Sequence, residues 1–86
     1  MSTFKLNISS PDGKIFQGSV AGIVVRGVEG ELAVLAGHVP FITAVKAGKC
    51  DLRLEDGTLK QGRTEGGLLT VAKEEVTFLT SALEWA

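Results

Sequence analysis

The sequence GVEGELAVLAGHVPFITAVKAG occupies residues 27–48 and carries more information than any other part of the chain. It combines a glycine-rich loop, two short apolar strands and a Gly-His-x-Pro turn. The only histidine, His38, lies near its centre, and the residues beside it in sequence offer no partner for nucleophilic catalysis. The pattern predicts a shaped contact surface rather than an active site.

Outward from this segment, short apolar runs alternate with turn signals. Pro11-Asp12-Gly13 and Asp56-Gly57 are typical turn sequences, and Gly66-Gly67 permits a bend or a close approach of two backbones. Only residues 80–86 are a candidate for a helical turn, and that segment is too short to be stable alone. The predicted strands cover residues 4–9, 15–16, 23–25, 32–35, 41–45, 51–55, 58–61, 68–71 and 76–79. About nine or ten short strands at this spacing indicate an all-β sandwich or barrel.

Length and composition limit the chain to one small domain, predicted over residues 1–86. The formal net charge is −1, and the nine basic residues are scattered, so we expect no nucleic-acid partner. Cys50 is the only cysteine, which excludes an internal disulfide and suits a reducing compartment. No apolar run approaches the roughly 20 residues that a membrane-spanning helix needs.

The sequence contains no recognisable catalytic or metal-binding constellation. Cys50 lies beyond two turns and a strand from His38, and one Cys with one His cannot form a zinc site. Glu29 and Glu31 are close together, but their position in a loop and at a strand edge is typical of surface residues. We therefore expect no catalytic residues, no metal and no cofactor. For His38, a turn residue bonded to local backbone and a partner contact remain equally open.

Lys46 supports a different function. Lipoyl and biotinyl carrier domains are also small β-sandwiches, and they carry a modified lysine on an exposed hairpin. Lys46 lacks the Asp-Lys-Ala or Met-Lys-Met context of those domains. We therefore interpret it as a surface lysine at a strand end and keep a carrier domain modified at Lys46 as the alternative function.

The motif G-x-E-G-E-L-x-V-L-x-G-H-x-P-x-I-T-A-V-K-x-G in residues 27–48 resembles the N-terminal β-sandwich domain of the epsilon subunit of F-type ATP synthase, the equivalent of mitochondrial delta. The resemblance covers nearly the whole chain, with further matches at Phe4-Lys5-Leu6, Phe16-x-Gly18, Gly66-Gly67-x-Leu69 and Val76-Thr77-x-Leu79. It implies a small flattened β-sandwich and a non-catalytic subunit of the central stalk, which links gamma to the c-ring and couples ion flow to ATP synthesis.

The resemblance also implies which residues contact which partner. Glu29, Gly30 and Glu31 would meet the c-ring, while Ser10, His38 and Thr43 would face gamma. The subunit would be peripheral to the cytoplasmic face of a bacterial plasma membrane, held there by the complex. The apolar surface that faces gamma also implies weak homodimers of the isolated domain.

Two features depart from the family pattern. Leu35-Ala36 stands where the family often has Tyr or Phe followed by Pro, which changes the expected path of the loop before Gly37-His38. The family usually continues into two C-terminal helices, whereas this sequence stops at Ala86. The expected fold therefore lacks the C-terminal helical hairpin, and neither inhibition of ATP hydrolysis nor ATP binding is assigned.

Overall fold

A computed structural model describes residues 2–86, so Met1 of the predicted domain lies outside the described residues. Within residues 2–86 the chain forms strands and turns only, which confirms the all-β class. The eight strands are β1 (Phe4–Ser10), β2 (Gly13–Gly27), β3 (Gly30–Leu35), β4 (Phe41–Leu54), β5 (Leu59–Thr64), β6 (Gly67–Val71), β7 (Glu75–Thr80) and β8 (Leu83–Trp85). No helix that could span a membrane is present in this part of the chain.

The predicted number of about ten short strands is wrong, because two strands are much longer than expected. The predicted strands at residues 15–16 and 23–25 are parts of the 15-residue β2. The runs at residues 41–45 and 51–55 likewise join in the 14-residue β4. Gly18 in β2 and Gly48 in β4 do not end their strands, since glycine also allows a strand to bend while its pairing continues.

The two long strands connect two layers. All eight strands pair in the order β3-β2-β1-β7-β6-β4-β5-β8, and an additional β2–β4 pairing closes a ring of five strands. We call β1, β6 and β7, with residues 13–20 of β2 and 41–45 of β4, the first sheet. The second sheet contains β3, β5 and β8, with residues 22–27 of β2 and 48–54 of β4. The result is the predicted β-sandwich.

The core lies between the two sheets and follows the alternation of the strands. In β1, Phe4, Leu6 and Ile8 are buried, as the period of two predicts. Ile23 and Val25 of β2 have no exposed surface and lie where β2 pairs with both β3 and β4. The other buried apolar side chains of the cluster are Val20, Val34, Val45, Cys50, Leu52, Leu69, Val71, Val76 and Phe78.

The predicted close backbone approach at Gly66-Gly67 is confirmed. A Cβ atom on Gly67 would lie 1.9 Å from the carbonyl oxygen of Leu79, and one on Gly66 would lie 2.5 Å from that of Val45. Only glycine leaves room for these contacts. Beside them, the buried hydroxyl groups of Thr64 and Thr80 bond to each other at 2.7 Å.

The end of the chain differs from its prediction. Residues 83–85 form a strand, β8, rather than a helical turn, because they pair with β5. The Trp85 ring lies directly over Gly62, where a Cβ atom would approach it to 2.7 Å, and Lys60 places its amino group 4.6 Å from the ring centroid. Tertiary contacts with β5 therefore determine the structure of a segment that has little local preference.

Candidate functional site

The tight connection between β2 and β3 presents the residues predicted to contact the c-ring. Gly27 pairs with Gly30, so Val28 and Glu29 form the tip of the turn. Gly30 has a φ of 129°, which explains the glycine at this position. Glu29, Gly30 and Glu31 are all exposed, as the sequence predicts. The turn is a projection that carries two carboxylates at one end of the sandwich.

Glu31 is paired within the chain itself. Its carboxylate lies 2.6 Å from the amino group of Lys49 on β4, and this hydrogen bond, with the negative charge, raises the pKa of Lys49. Sequence reasoning missed the ion pair, because Lys49 reaches Glu31 only through the pairing of β4 with β2 and of β2 with β3. Within the described residues Glu29 has no such partner, so it is the freer of the two carboxylates.

A second candidate surface lies on the outside of the first sheet; the sequence predicts an apolar surface facing gamma but does not identify its residues. Ile42, Leu68 and Leu79 are 67%, 43% and 51% exposed, and we call these three residues the apolar patch. Leu68 on β6 pairs with Leu79 on β7 and with Ala44 on β4. Ile42 is two residues from Ala44, so it lies on the same side of β4. The patch is therefore continuous across the three strands. Exposed contiguous apolar side chains are typical of protein interaction sites. In the sequence, each of these three residues is apolar at a position where the alternation of buried and exposed side chains along the strand predicts a polar residue.

Two of the three residues predicted to face gamma lie near opposite ends of the apolar patch. Ser10 follows Ser9, the pairing partner of Leu79, and its hydroxyl group accepts a hydrogen bond of 3.2 Å from the Asp12 amide in the adjoining turn. Thr43 is next to Ile42 on β4, but its side chain is half-buried and lines a small depression with the β2–β3 turn. Thr43 therefore lies close to the carboxylates as well as to the patch.

His38 lies apart from Ser10. Its ring meets the Phe4 ring edge-on, with centroids 5.2 Å apart, at the start of β1, whereas Ser10 is the last residue of that strand. Seven residues of extended chain separate the two positions by about 20 Å. Neither ring nitrogen of His38 has a hydrogen-bond partner within the described residues, so of the two roles left open by the sequence the bond to local backbone is not present. A shared partner would have to cover the length of β1.

Cys50, the potential metal ligands and Lys46 do not form a reactive site in the described residues. Cys50 is fully buried in β4, and burial raises the pKa of its thiol to about 12. No group of three potential metal ligands lies together in the described part of the chain. Lys46 is exposed but lies inside β4, not at a strand end and not at the tip of a hairpin. That position corrects the prediction for Lys46 and is unlike the hairpin lysine of the carrier alternative.

Comparison with known sequences gives a clear match. The family described as "ATP synthase, Delta/Epsilon chain, beta-sandwich domain" matches residues 3–86. Among curated relatives, the sodium ion specific ATP synthase epsilon chain of Acetobacterium woodii is 41% identical over 83 residues, which are 96% of this chain and 62% of that protein. The ATP synthase epsilon chain of Alkalihalophilus pseudofirmus is 40% identical, with 98% of this chain and 62% of that one covered. The chain thus spans less than two thirds of these relatives.

Solved structures with the same fold come from ATP synthases. A chain in the Euglena gracilis mitochondrial ATP synthase OSCP/F1/c-ring structure superposes with a TM-score of 0.91 at 29% identity, covering 99% of this chain and 54% of that one. A chain in the Tetrahymena thermophila mitochondrial central stalk/c-ring structure superposes with a TM-score of 0.78, covering 96% and 66%. At 12% identity the second match supports the fold alone.

Proposed function

Because this chain belongs to the ATP synthase delta/epsilon family, we propose that it is a non-catalytic subunit of the central stalk that joins gamma to the c-ring and couples ion flow to ATP synthesis. The observation that carries the proposal is the family match over residues 3–86. The similar chain in Euglena gracilis comes from an OSCP/F1/c-ring structure, and F1 and the c-ring are the two bodies that a stalk connects.

A part that transmits torque must be stiff, and the sandwich has features that favour stiffness. Long strands β2 and β4 belong to both sheets, and the β2–β4 pairing closes a ring of five strands. Buried side chains of the core fill the space between the sheets, and packed interiors resist deformation. The domain would thus rotate as one body, with contacts on its surface rather than chemistry within it.

For the contact with gamma we propose the outer face of the first sheet. The apolar patch supports this choice, since its three side chains expose about half of their surface and would be covered by a partner. Ser10 lies beside the Leu79 end of the patch, whereas Thr43 follows Ile42 on β4 and, by the alternation of the strand, directs its half-buried side chain to the other face. His38, about 20 Å from Ser10, would then lie at the far limit of the same interface. The same patch would account for weak homodimers of the isolated domain.

For the contact with the c-ring we propose the β2–β3 turn. Glu29 and Glu31 project from one end of the sandwich, and carboxylates there suit the basic and polar loops of a c-ring. Glu31 is already paired with Lys49, so Glu29 would form the more direct contact, with Glu31 contributing to the local negative charge. The proposed site of action is peripheral to the cytoplasmic face of a bacterial plasma membrane.

Copurification tests the proposal at the level of partners. We expect the tagged chain, expressed in its native host, to recover gamma and the c subunit from a gentle detergent extract. Crosslinking from position 79 should capture gamma, and crosslinking from position 29 should capture the c subunit. Recovery of the folded chain with neither partner would contradict the proposed function.

A charge reversal tests the c-ring contact. Glu31→Lys should weaken docking to the c-ring, because it replaces a carboxylate at the turn with a cation beside Lys49. Glu55→Lys makes the same change of charge in the β4–β5 turn, at the opposite end of the second sheet, and should leave docking unchanged. Equal docking of the two variants would refute the assignment, provided that their circular dichroism spectra match.

A further inference from the structure

An irregularity in the β2–β4 pairing forms an open depression on the outer side of the second sheet. Val25 pairs with Cys50, whereas Gly27 pairs with Val45, so the four residues 46–49 of β4 lie opposite Arg26 alone. Bulges of this kind re-aim side chains and often lie near functional sites. Lys46 and Lys49 of the bulge line, together with Arg26, a depression of about 570 Å³.

The bulge is packed from two directions. The side chain of Arg26 lies across Gly48, where a Cβ atom would come within 3.3 Å of its Cδ. From the other direction Gly66 packs against the backbone of Val45, Lys46 and Ala47 at distances that exclude any larger residue. The Gly66 contact with backbone excludes a larger residue and fixes the path of β4 here, whereas a Cβ atom on Gly48 would displace the Arg26 side chain only slightly.

The depression concentrates positive charge in a chain whose net charge is −1. Arg26, Lys46, Lys49 and Arg63 line it, and the acidic side chains that line it are Glu29 and Glu31. Lys49 and Arg63 are direct pairing partners on β4 and β5, an arrangement of like charges that is unfavourable across a sheet. Only Lys49 has a carboxylate within ion-pair distance among the described residues. Arg26 and Arg63 lie directly opposite the carboxylates of Glu31 and Glu84 on the neighbouring strands, so the four cations around the depression outnumber their acidic neighbours rather than lack them.

We propose that this basic depression, formed by Arg26, Lys46, Lys49 and Arg63, binds a phosphate group. Arg26 on β2 and Arg63 on β5 flank β4 from its two sides, and each guanidinium group can donate paired hydrogen bonds to a tetrahedral oxyanion. The lysines add positive charge, and their ammonium groups require no fixed geometry. A bound dianion would also relieve the repulsion between Lys49 and Arg63. The phosphate belongs either to the headgroup of an anionic lipid or to a free phosphate compound. The inference does not require the role proposed for the chain in the stalk, but the depression shares Glu29 and Glu31 with the proposed c-ring contact.

Binding can be measured on the isolated chain with inorganic phosphate as the probe. In a titration monitored by amide chemical shifts, we expect saturable changes at residues 26, 46–49 and 63 that are absent when sodium chloride of equal ionic strength is added. The double variant Arg26→Gln with Arg63→Gln should weaken binding at least about tenfold, since charge-assisted hydrogen bonds to both guanidinium groups are lost. Arg53→Gln is the matched control, because Arg53 is exposed on the same face but lies outside the depression.

Sedimentation with vesicles distinguishes the two sources of the phosphate. Binding to vesicles that contain phosphatidylglycerol, but not to pure phosphatidylcholine, would assign a lipid headgroup. Saturable binding of inorganic phosphate without vesicle binding would assign a free phosphate compound. The proposal is overturned if the unaltered chain shows no saturable response to either probe, or if Arg53→Gln weakens binding as much as the double variant does.

Discussion

Replacing Leu79 with alanine should weaken docking to gamma by an amount that follows from its exposure. Burying a whole leucine side chain stabilises by about 1.5–3 kcal/mol, and Leu79 is 51% exposed, so about half of that remains for a partner to supply. Alanine keeps one of the four side-chain carbons. The expected loss is roughly 0.6–1.1 kcal/mol, or about 3- to 6-fold in the dissociation constant.

The same reasoning predicts a much larger effect when the whole apolar patch is truncated. Ile42, Leu68 and Leu79 changed together to alanine should lose roughly 2–3.5 kcal/mol of binding free energy, about 30- to 400-fold in the dissociation constant, if gamma covers all three. The assay is a fluorescence titration of labelled chain with purified gamma, alongside urea unfolding of each variant.

A matched control separates docking from stability. Leu59 is 50% exposed, but it lies on the outer face of the second sheet. Leu59→Ala should therefore change the free energy of unfolding about as much as Leu79→Ala does, and it should leave the affinity for gamma unchanged. If Leu59→Ala weakens binding as much as Leu79→Ala, or if neither changes it, gamma does not dock on the first sheet.

Three further predictions concern the body of the domain. Ile23→Ala leaves a cavity at a fully buried position and should cost roughly 2–4 kcal/mol in urea unfolding; a cost near zero would show that the site is not packed. Burial raises the pKa of Cys50 from 9.0 to about 12, so the native state favours the neutral thiol. Stability should therefore fall as pH rises from 9 toward 12, by up to about 1.4 kcal/mol per pH unit, and Cys50→Ala should remove that part of the slope. Gly67→Ala drives a Cβ atom against the Leu79 carbonyl oxygen and should lower the free energy of unfolding by at least about 2 kcal/mol. At Gly18 a Cβ atom would lie 3.4 Å from the nearest atom, so Gly18→Ala should cost less than half as much in the same urea assay.

The elements that the sequence predicts well are those with a local physical signal. Residues 4–8 alternate in hydrophobicity, and the structure buries the apolar set. Turns at residues 11–13 and at Asp56-Gly57 follow from residue types that stabilise turns locally, and Asp56 accepts a hydrogen bond of 2.8 Å from the Thr58 amide. Cys50 is buried because it alternates with the charged Lys49 and Asp51 on β4 and shares the inner face with Leu52.

The features that the sequence does not predict depend on contacts between distant strands. In the sequence, the glycines inside β2 and β4 predict strand ends. The β2–β4 pairing keeps both strands continuous. Residues 83–85 have no strand signal of their own and become a strand by pairing with β5. The ion pair of Glu31 with Lys49, the bulge opposite Arg26 and the packing of the His38 ring on Phe4 likewise result from tertiary structure.

Among the predicted site residues, too, those that are neighbours in sequence lie together in the structure, whereas those that are distant in sequence lie apart. Glu29, Gly30 and Glu31 are adjacent in sequence, so their common turn is predictable. Ser10 and His38 were grouped by resemblance alone, and the structure separates them by the length of β1, about 20 Å. Whether one partner covers both positions stays a prediction.

The most direct test of the stalk function is restoration of coupling. If the proposed function is right, ATP synthase of the native host that is purified without this chain and reconstituted into vesicles should synthesise ATP poorly under an imposed ion gradient. Adding back the chain should restore synthesis, and adding the variant with alanine at Ile42, Leu68 and Leu79 should restore much less at the same concentration. If the folded chain neither binds the depleted complex nor raises the rate of gradient-driven ATP synthesis, the account of this protein as a coupling subunit is wrong.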